Sequence, residues 1–277
     1  ETAQELVKAY CSKKPFEEVP GIAIRSGGSC IRTQTRQRIK DIDAITEPYW
    51  DIFKVDSYID HSFNHGINMG RSMPIMASRR CPYECTFCSS PFMWTRKWSS
   101  RNPQDVIDEM KKYISQYNVS NFDFFDLTAI IRRDWILEFC NLIEKEGLKI
   151  TWQLPSGTRS EAISKEVSEQ LYKSGCRSMH YAPESGSAPE LKRIKKQVDL
   201  KKMLASMKGA RKAGIQNKSN FIMGMPGMTW GDVFRTYGFI FKDITNRSLK
   251  PGDPLRRVIN KAMPGFSTFD ALKVLKK

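Results

Sequence analysis

From Pro74 onward the chain alternates short β-rich runs with stretches whose apolar residues recur at helical spacing. The first run is Pro74-Ile75-Met76-Ala77-Ser78. A helix is predicted over 102–117, because Val106, Ile107, Met110, Ile114 and Tyr117 share one face. Asn102 can cap its free amides, and Pro103 suits the first helical position because it has no amide to leave unpaired. A strand at 121–126 follows, then a helix over 133–146 that turns Trp135, Ile136, Phe139 and Ile143 inward and stops at Gly147. The alternation continues with strand 149–154, helix 161–173 stopped by Gly175, strand 178–182, helix 200–213 stopped by Gly214, strand 219–223 and helix 231–244. A weak strand at 257–262 and a short helix at 269–275 end it.

Six β-then-α units without hairpin signals between them predict parallel strands joined by helical crossovers, since parallel neighbours need a long connection. Right-handed crossovers would wind these units into an α/β fold, a partial (β/α)6 TIM-like barrel, with an open doubly wound sheet as the alternative. Residues 1–72 read differently. Pro15, Pro20, Gly21, Gly27, Gly28 and Pro48 punctuate them and only 19–25 looks strand-like, which predicts an irregular linker segment. The expected organisation is a linker over 1–72, a core barrel over 73–265 and the start of a C-terminal extension over 266–277.

Composition narrows the class. The 277 residues carry 45 Lys+Arg against 30 Asp+Glu, a net charge of +15, with 40% hydrophobic residues, which excludes disordered, collagenous and disulfide-dense chains. No apolar run approaches the roughly 18 residues of a membrane span, and the start at Glu1 has neither a charged nor an apolar leader segment. A cytoplasmic protein is expected. Seven cysteines, an odd number, suit a reducing compartment. Cys11, Cys30, Cys140 and Cys176 are scattered, and Cys140 sits in an apolar helical pattern as a small buried hydrophobe would.

The other three, Cys81, Cys85 and Cys88, form C-x3-C-x2-C at the mouth of the first predicted strand. Thiolates this close in one loop can wrap one soft metal centre. A structural zinc or an electron-transfer cluster normally takes four ligands, so three leave a position open for a substrate or cofactor. A zinc completed by His61, His65 or His180, and three unrelated buried cysteines, are the competing readings.

The loop, with Phe87 between its last two cysteines, resembles the cluster motif of the radical S-adenosylmethionine (SAM) superfamily. The resemblance implies that Cys81, Cys85 and Cys88 hold a [4Fe–4S] cluster whose fourth iron binds S-adenosyl-L-methionine. An electron then breaks the C5′–S bond to give methionine and a 5′-deoxyadenosyl radical. It further implies that Phe87 packs near the adenine, that Asp126 lies beside the cofactor's amino group, and that Glu184 and Ser185 of the Glu184-Ser185-Gly186 signature face the cofactor. Gly224, in Gly224-Met225-Pro226-Gly227-Met228-Thr229, is implied to keep backbone close to adenine. Each has a plainer reading: a turn carboxylate for Asp126, a salt-bridge partner for Glu184, turn glycines for Gly224 and Gly227. Arg159 could contact a carboxylate or could be a solvated helix-start residue.

Upstream, Pro20-Gly21-Ile22-Ala23-Ile24-Arg25 and Pro48-Tyr49-Trp50-Asp51 are similar to the linker between a cobalamin-binding domain and the radical core in cobalamin-dependent members. That branch implies methyl transfer or cyclisation on an unactivated carbon, with a reductant such as flavodoxin or ferredoxin. Two departures stand out: Arg80 where the family commonly has Gly, and no D-x-H-x-x-G cobalamin signature, so cobalamin would bind through an upstream domain. The charge of +15 suggests an anionic small-molecule substrate. It also raises the alternative of a methylthiotransferase-like enzyme acting on RNA. Yet the basic residues are dispersed, the densest group (Lys192, Arg193, Lys195, Lys196, Lys201, Lys202) reads as a solvated face, and no aromatic residues interleave to stack bases. A non-enzymatic Fe–S electron carrier is the remaining alternative.

Overall fold

The structure, a computed structural model, describes residues 1–158 and 163–244, with the backbone alone for Lys242 and Asp243. Arg159 and the sixth predicted unit lie outside the described residues. Two compact units divide at Ala44 and Ile45.

The first unit holds helix α1 (Thr2–Cys11) and a hairpin of β1 (Ala23–Ser26) and β2 (Ser29–Arg32). The linker reading of this stretch recognised only a strand-like run. Gly27 and Gly28 were read as breaks, but both take positive φ, +55° and +82°, which is what a two-residue turn between antiparallel strands demands. Arg36 ties the hairpin's far end to α1 through a forked contact with Glu5.

The second unit opens with α2 (Val55–Asp60), whose Val55 and Ile59 join the main core. Strand β3 (Ser72–Ile75), the two-residue strands β4 (Ser78–Arg79) and β5 (Ser99–Ser100) with helix α3 (Ser90–Trp94) between them, and helix α4 (Pro103–Tyr117) follow. As expected, Asn102 caps α4, accepting from the Gln104 amide at 2.9 Å. Then come β6 (Asn121–Phe124), α5 (Arg133–Lys145), β7 (Thr151–Thr158), α6 (Lys165–Lys173), β8 (Cys176–Glu184), α7 (Ala188–Arg193), α8 (Leu200–Ala213), β9 (Gln216–Phe221) and α9 (Trp230–Gly238), which runs into a π-helical turn, Phe239–Ile244.

The five long strands form one parallel sheet in the order β3-β6-β7-β8-β9, so each pairs with the next in the chain, as βα units require. Its helix-side face is aromatic. Phe124, Phe139 and Trp152 meet ring to ring at 5.3–5.6 Å, and Trp152 donates its Nε1–H to the Ser174 carbonyl at 3.1 Å. Burial of each such ring contributes on the order of 2–3 kcal/mol.

The opposite face is polar. Strand alternation places Asn121 and Asp123, Gln153, Ser178 and His180, and Lys218 and Asn220 on it, and the register confirms it by pairing Asp123 with Gln153, Gln153 with Ser178 and His180 with Lys218. Its floor is closed by the segment before β3. The Gly66 amide donates to Asp123 Oδ2 at 3.1 Å, the Ile67 amide donates to Gln153 Oε1 at 2.9 Å, and Gln153 Nε2 donates to the Ile67 carbonyl at 2.8 Å.

Candidate functional site

The C-terminal ends of parallel strands are where barrel chemistry gathers, and every described candidate residue sits there. After β3, the β4–β5 ladder pinches the base of the cysteine loop, pairing Ser78 with Ser100 and Arg79 with Ser99. Two non-glycine residues with positive φ bracket the loop, Arg80 at +74° and Thr95 at +68°. Such backbone costs about 1–3 kcal/mol per residue. Glycine would adopt the Arg80 conformation freely, which explains the family's preference. Here a guanidinium contact compensates, with Nη1 donating to the Lys97 carbonyl at 3.2 Å.

Within the loop the Cys88 amide donates to the Cys85 carbonyl at 3.0 Å, and the Ser90 amide points at Cys88 Sγ from 3.4 Å. The Ser90 hydroxyl beside it is buried without a hydrogen-bond partner among the described residues. All three thiols are partly exposed. Cys140 and Cys176 are the opposite case: burial pushes the Cys140 thiol up to about 12 and the Cys176 thiol well above its ordinary value, so neither offers a thiolate near neutral pH. Among the described residues no three His, Cys, Asp or Glu side chains converge on one ion position. A cubane takes one thiolate at each of three separate irons, which three partly exposed thiols in one loop can offer.

Asp126 is 2% exposed, and its carboxylate accepts from the Ala77 amide at 3.1 Å and from the Ser78 hydroxyl. It thereby fixes the link between β3 and the base of the cysteine loop. Burial pushes its pKa up to about 6 against the pull of those donors. Its folded pKa lies above the ordinary 3.8, so the folded protein binds the proton more tightly than the unfolded chain. Stability is therefore expected to be greatest below about pH 4 for this group and to fall by about 3 kcal/mol as pH rises to above 6. Urea midpoints across that window should show this slope in the wild type and lose it in Asp126→Asn; equal slopes would remove Asp126 as its source.

Glu184 ends β8 with φ +65°. Its Oε1 lies 3.0 Å from Lys196 Nζ, and both side chains are only 10% exposed. The same ammonium stands 6.0 Å from the ring centroid of Phe87, which is itself 38% exposed. Two residues earlier, the Ile194 carbonyl accepts from the Thr86 amide at 3.0 Å. Residues 194–196 thus clasp the cysteine loop to the end of β8. Lys196 and Arg193 correct the expectation of a solvated basic face: Arg193 donates to the buried Asp232 at 3.0 Å. Lys196 was obscured by the basic residues around it, and the absence of helical spacing beyond Ile194 was the only available signal.

The Ser185 hydroxyl is committed internally. It donates to Glu190 Oε2 at 2.6 Å, accepts from the Ser187 amide at 3.0 Å and meets Thr236 Oγ1 at 2.9 Å, which locks the turn after β8 against α7 and α9. Gly224 has φ +85°, and a Cβ there would meet no protein atom within 4 Å, so its own backbone conformation accounts for the glycine. The turn borders a cavity of about 680 Å³ lined by Met223, Met225, Met228, Trp230 and Tyr237 among others.

This order of motifs at successive strand ends has a counterpart in known proteins. The family model described as the radical SAM superfamily matches residues 75–240, more than half of the chain. The chain belongs to the radical SAM superfamily. Among its relatives, it is 27% identical to an uncharacterized methyltransferase of Pyrococcus horikoshii over 87% of this chain and 50% of that one. It is also 27% identical to the anaerobic magnesium-protoporphyrin IX monomethyl ester cyclase of Cereibacter sphaeroides, over 99% of this chain and 45% of that one. It therefore spans half or less of the length of these relatives. In fold it is similar to the cobalamin-dependent SAM radical enzyme OxsB with aqua-cobalamin and S-adenosylmethionine bound, at TM-score 0.69 and 18% identity, covering 99% of this chain and 39% of that one. The radical SAM methyltransferase TsrM of Kitasatospora setae matches at TM-score 0.63 and 15% identity, covering 86% and 47%. The radical SAM family implies a [4Fe–4S] cluster and SAM. Among the described residues no helix is long and apolar enough to cross a membrane.

Proposed function

We propose that this chain binds a [4Fe–4S] cluster through Cys81, Cys85 and Cys88 and cleaves S-adenosylmethionine reductively, to transfer a methyl group or close a ring at an unactivated carbon. The observation that carries the reading is the partly exposed three-thiol loop, with Phe87 inside it, pinned at the head of a parallel sheet, with Glu184 and Gly224 at neighbouring strand ends. The names of the methyltransferase and cyclase relatives support the choice of reaction.

When bound, the cluster supplies the electron that breaks the C5′–S bond of SAM. The protein's part is positioning and exclusion of water. Asp126 holds the base of the cysteine loop, and the 194–196 clasp sets its distance from β8. The half-exposed ring of Phe87 offers a face to the adenine, and the turn at Gly224 leaves space for the cofactor to approach backbone. Lys196 and Glu184 present one charge of each sign beside that space, matching the carboxylate and amino group of a methionyl moiety. Residues 1–72 would join this core to an upstream cobalamin-binding domain, with flavodoxin or ferredoxin as the electron source.

Anaerobic reconstitution with iron and sulfide should load about four irons per chain. Addition of SAM and dithionite should then release 5′-deoxyadenosine. Tightly bound zinc without iron uptake would overturn the reading. An intact cluster that leaves SAM uncleaved would point to the electron carrier instead.

A further inference from the structure

The polar inner face of the sheet has a use that the cofactor residues do not account for. Near its floor Asp123, a carboxylate on this face, is well partnered: it accepts from the Gly66 amide, from Asn121 Nδ2 at 2.9 Å and from Gln153 Nε2 at 2.7 Å. One pleat further toward the C-terminal ends the balance changes. His180 Nε2 is buried without a hydrogen-bond partner among the described residues. Its register partner on β9 is Lys218, on the same face, and Lys218 makes no ion pair among the described residues. His65, on the segment that closes the floor, packs its ring 5.3 Å from Phe125 and adds to the field at His180.

Half-buried His180 thus has the exposed Lys218 beside it on the sheet and His65 close enough to act on its charge. After burial, Lys218 and then His65 push the His180 pKa down, and the Pro155 carbonyl opposes them; no carboxylate contributes. The Lys218 ammonium gives this part of the face a positive potential, tempered by its exposure to water. An anion placed there would satisfy Lys218, let His180 take up a proton and donate it from Nε2, and remove the mutual repulsion.

We propose that the lumen holds an oxyanion of the substrate, a carboxylate or a phosphate, between His180 Nε2 and the Lys218 ammonium, with His65 and Phe125 at its edge. The inference deepens the radical SAM reading by naming a substrate class: a polar molecule with an acidic group anchored below the strand ends, its reacting carbon directed up toward the cofactor. It rests on that reading only for which molecule carries the anion.

The chain has three histidines, so their ring C–H signals can be followed by NMR during titration with inorganic phosphate and, separately, with propionate. The His180 signal should move with at least one of them, and its titration midpoint should rise. A response to phosphate alone identifies a phosphorylated substrate group, and a response to propionate alone a carboxylate. Lys218→Gln should weaken binding about tenfold, while Lys218→Arg keeps it. Lys218 is exposed on β9, so both variants should fold, which circular dichroism checks. No movement of His180 with either anion, or unchanged affinity in Lys218→Gln, would overturn the proposal. Release of 5′-deoxyadenosine by a chain that ignores both anions would overturn this site and leave the reaction standing. Anion binding by a chain that cannot cleave SAM would do the reverse.

Discussion

Cys85→Ala is expected to abolish 5′-deoxyadenosine release while leaving the cluster-free chain within about 0.5 kcal/mol of wild-type stability. The expectation follows from where the thiol sits. Cys85 is partly exposed on a loop outside the apolar core, so removing its sulfur creates no cavity. It does leave two thiolates for a centre that needs three, and a cluster with two open irons loses iron and has no fixed orientation for SAM. Cys140→Ala supplies the contrast. That thiol is wholly buried on α5 and its pKa is pushed up to about 12, so the variant should lose about 1 kcal/mol and load iron normally. Iron content, visible absorbance and product release, measured on both variants, should separate cleanly. A Cys85→Ala chain that still cleaves SAM would remove this loop from the chemistry.

Lys196→Met should destabilise the protein by about 3–5 kcal/mol, well beyond an ordinary surface substitution. Glu184 and Lys196 are each about nine-tenths withdrawn from water, and their attraction at 3.0 Å offsets the cost of dehydrating both. Removing the ammonium alone strands a buried carboxylate at the end of β8, on a residue already held at φ +65°. Adding Glu184→Gln should recover most of the loss, because the stranded charge goes with it. Urea denaturation of the two single variants and the double variant measures the coupling directly. A single-variant loss below about 1 kcal/mol would show a solvated pair and dissolve the clasp.

Much of this architecture is readable along the chain. The bounds of α8 coincide with the predicted 200–213, and Asn102, Gly147 and Gly214 mark helix ends as their chemistry requires, the two glycines with φ of +64° and +98°. Periodicity succeeds there because local burial and local propensity agree. It falls short where partners are distant. Strands β7 and β8 run further than expected, to Thr158 and Glu184, because Thr158 pairs with Tyr181 and Glu184 with Phe221 of β9, which sustains extended backbone that composition alone does not favour. The hairpin at Gly27–Gly28 was missed because its strands are largely exposed and show no alternation. At the candidate site, the cysteine triplet stands out by its spacing alone. The inward engagement of Ser185 and Asp126 does not, since Thr236 and Ser78 lie 51 and 48 residues from them. Lys196 and Lys218 were hidden for the same reason: their meaning depends on the residues opposite, Glu184 and His180.

The strand order carries one more consequence, for how the protein folds. Ser72 pairs with Asn121, Asn121 with Thr151, Trp152 with Cys176 and Ser178 with Gln216, so each new strand docks on the one just before it and no pairing waits for a distant partner. Such a chain can fold progressively as it leaves the ribosome, adding one βα unit at a time to a growing edge. The cysteine loop belongs to the first unit, Glu184 to the fourth and the Gly224 turn to the fifth. The thiols proposed as cluster ligands are therefore synthesised first, while the 194–196 clasp that holds their loop and the groups proposed to meet SAM arrive last.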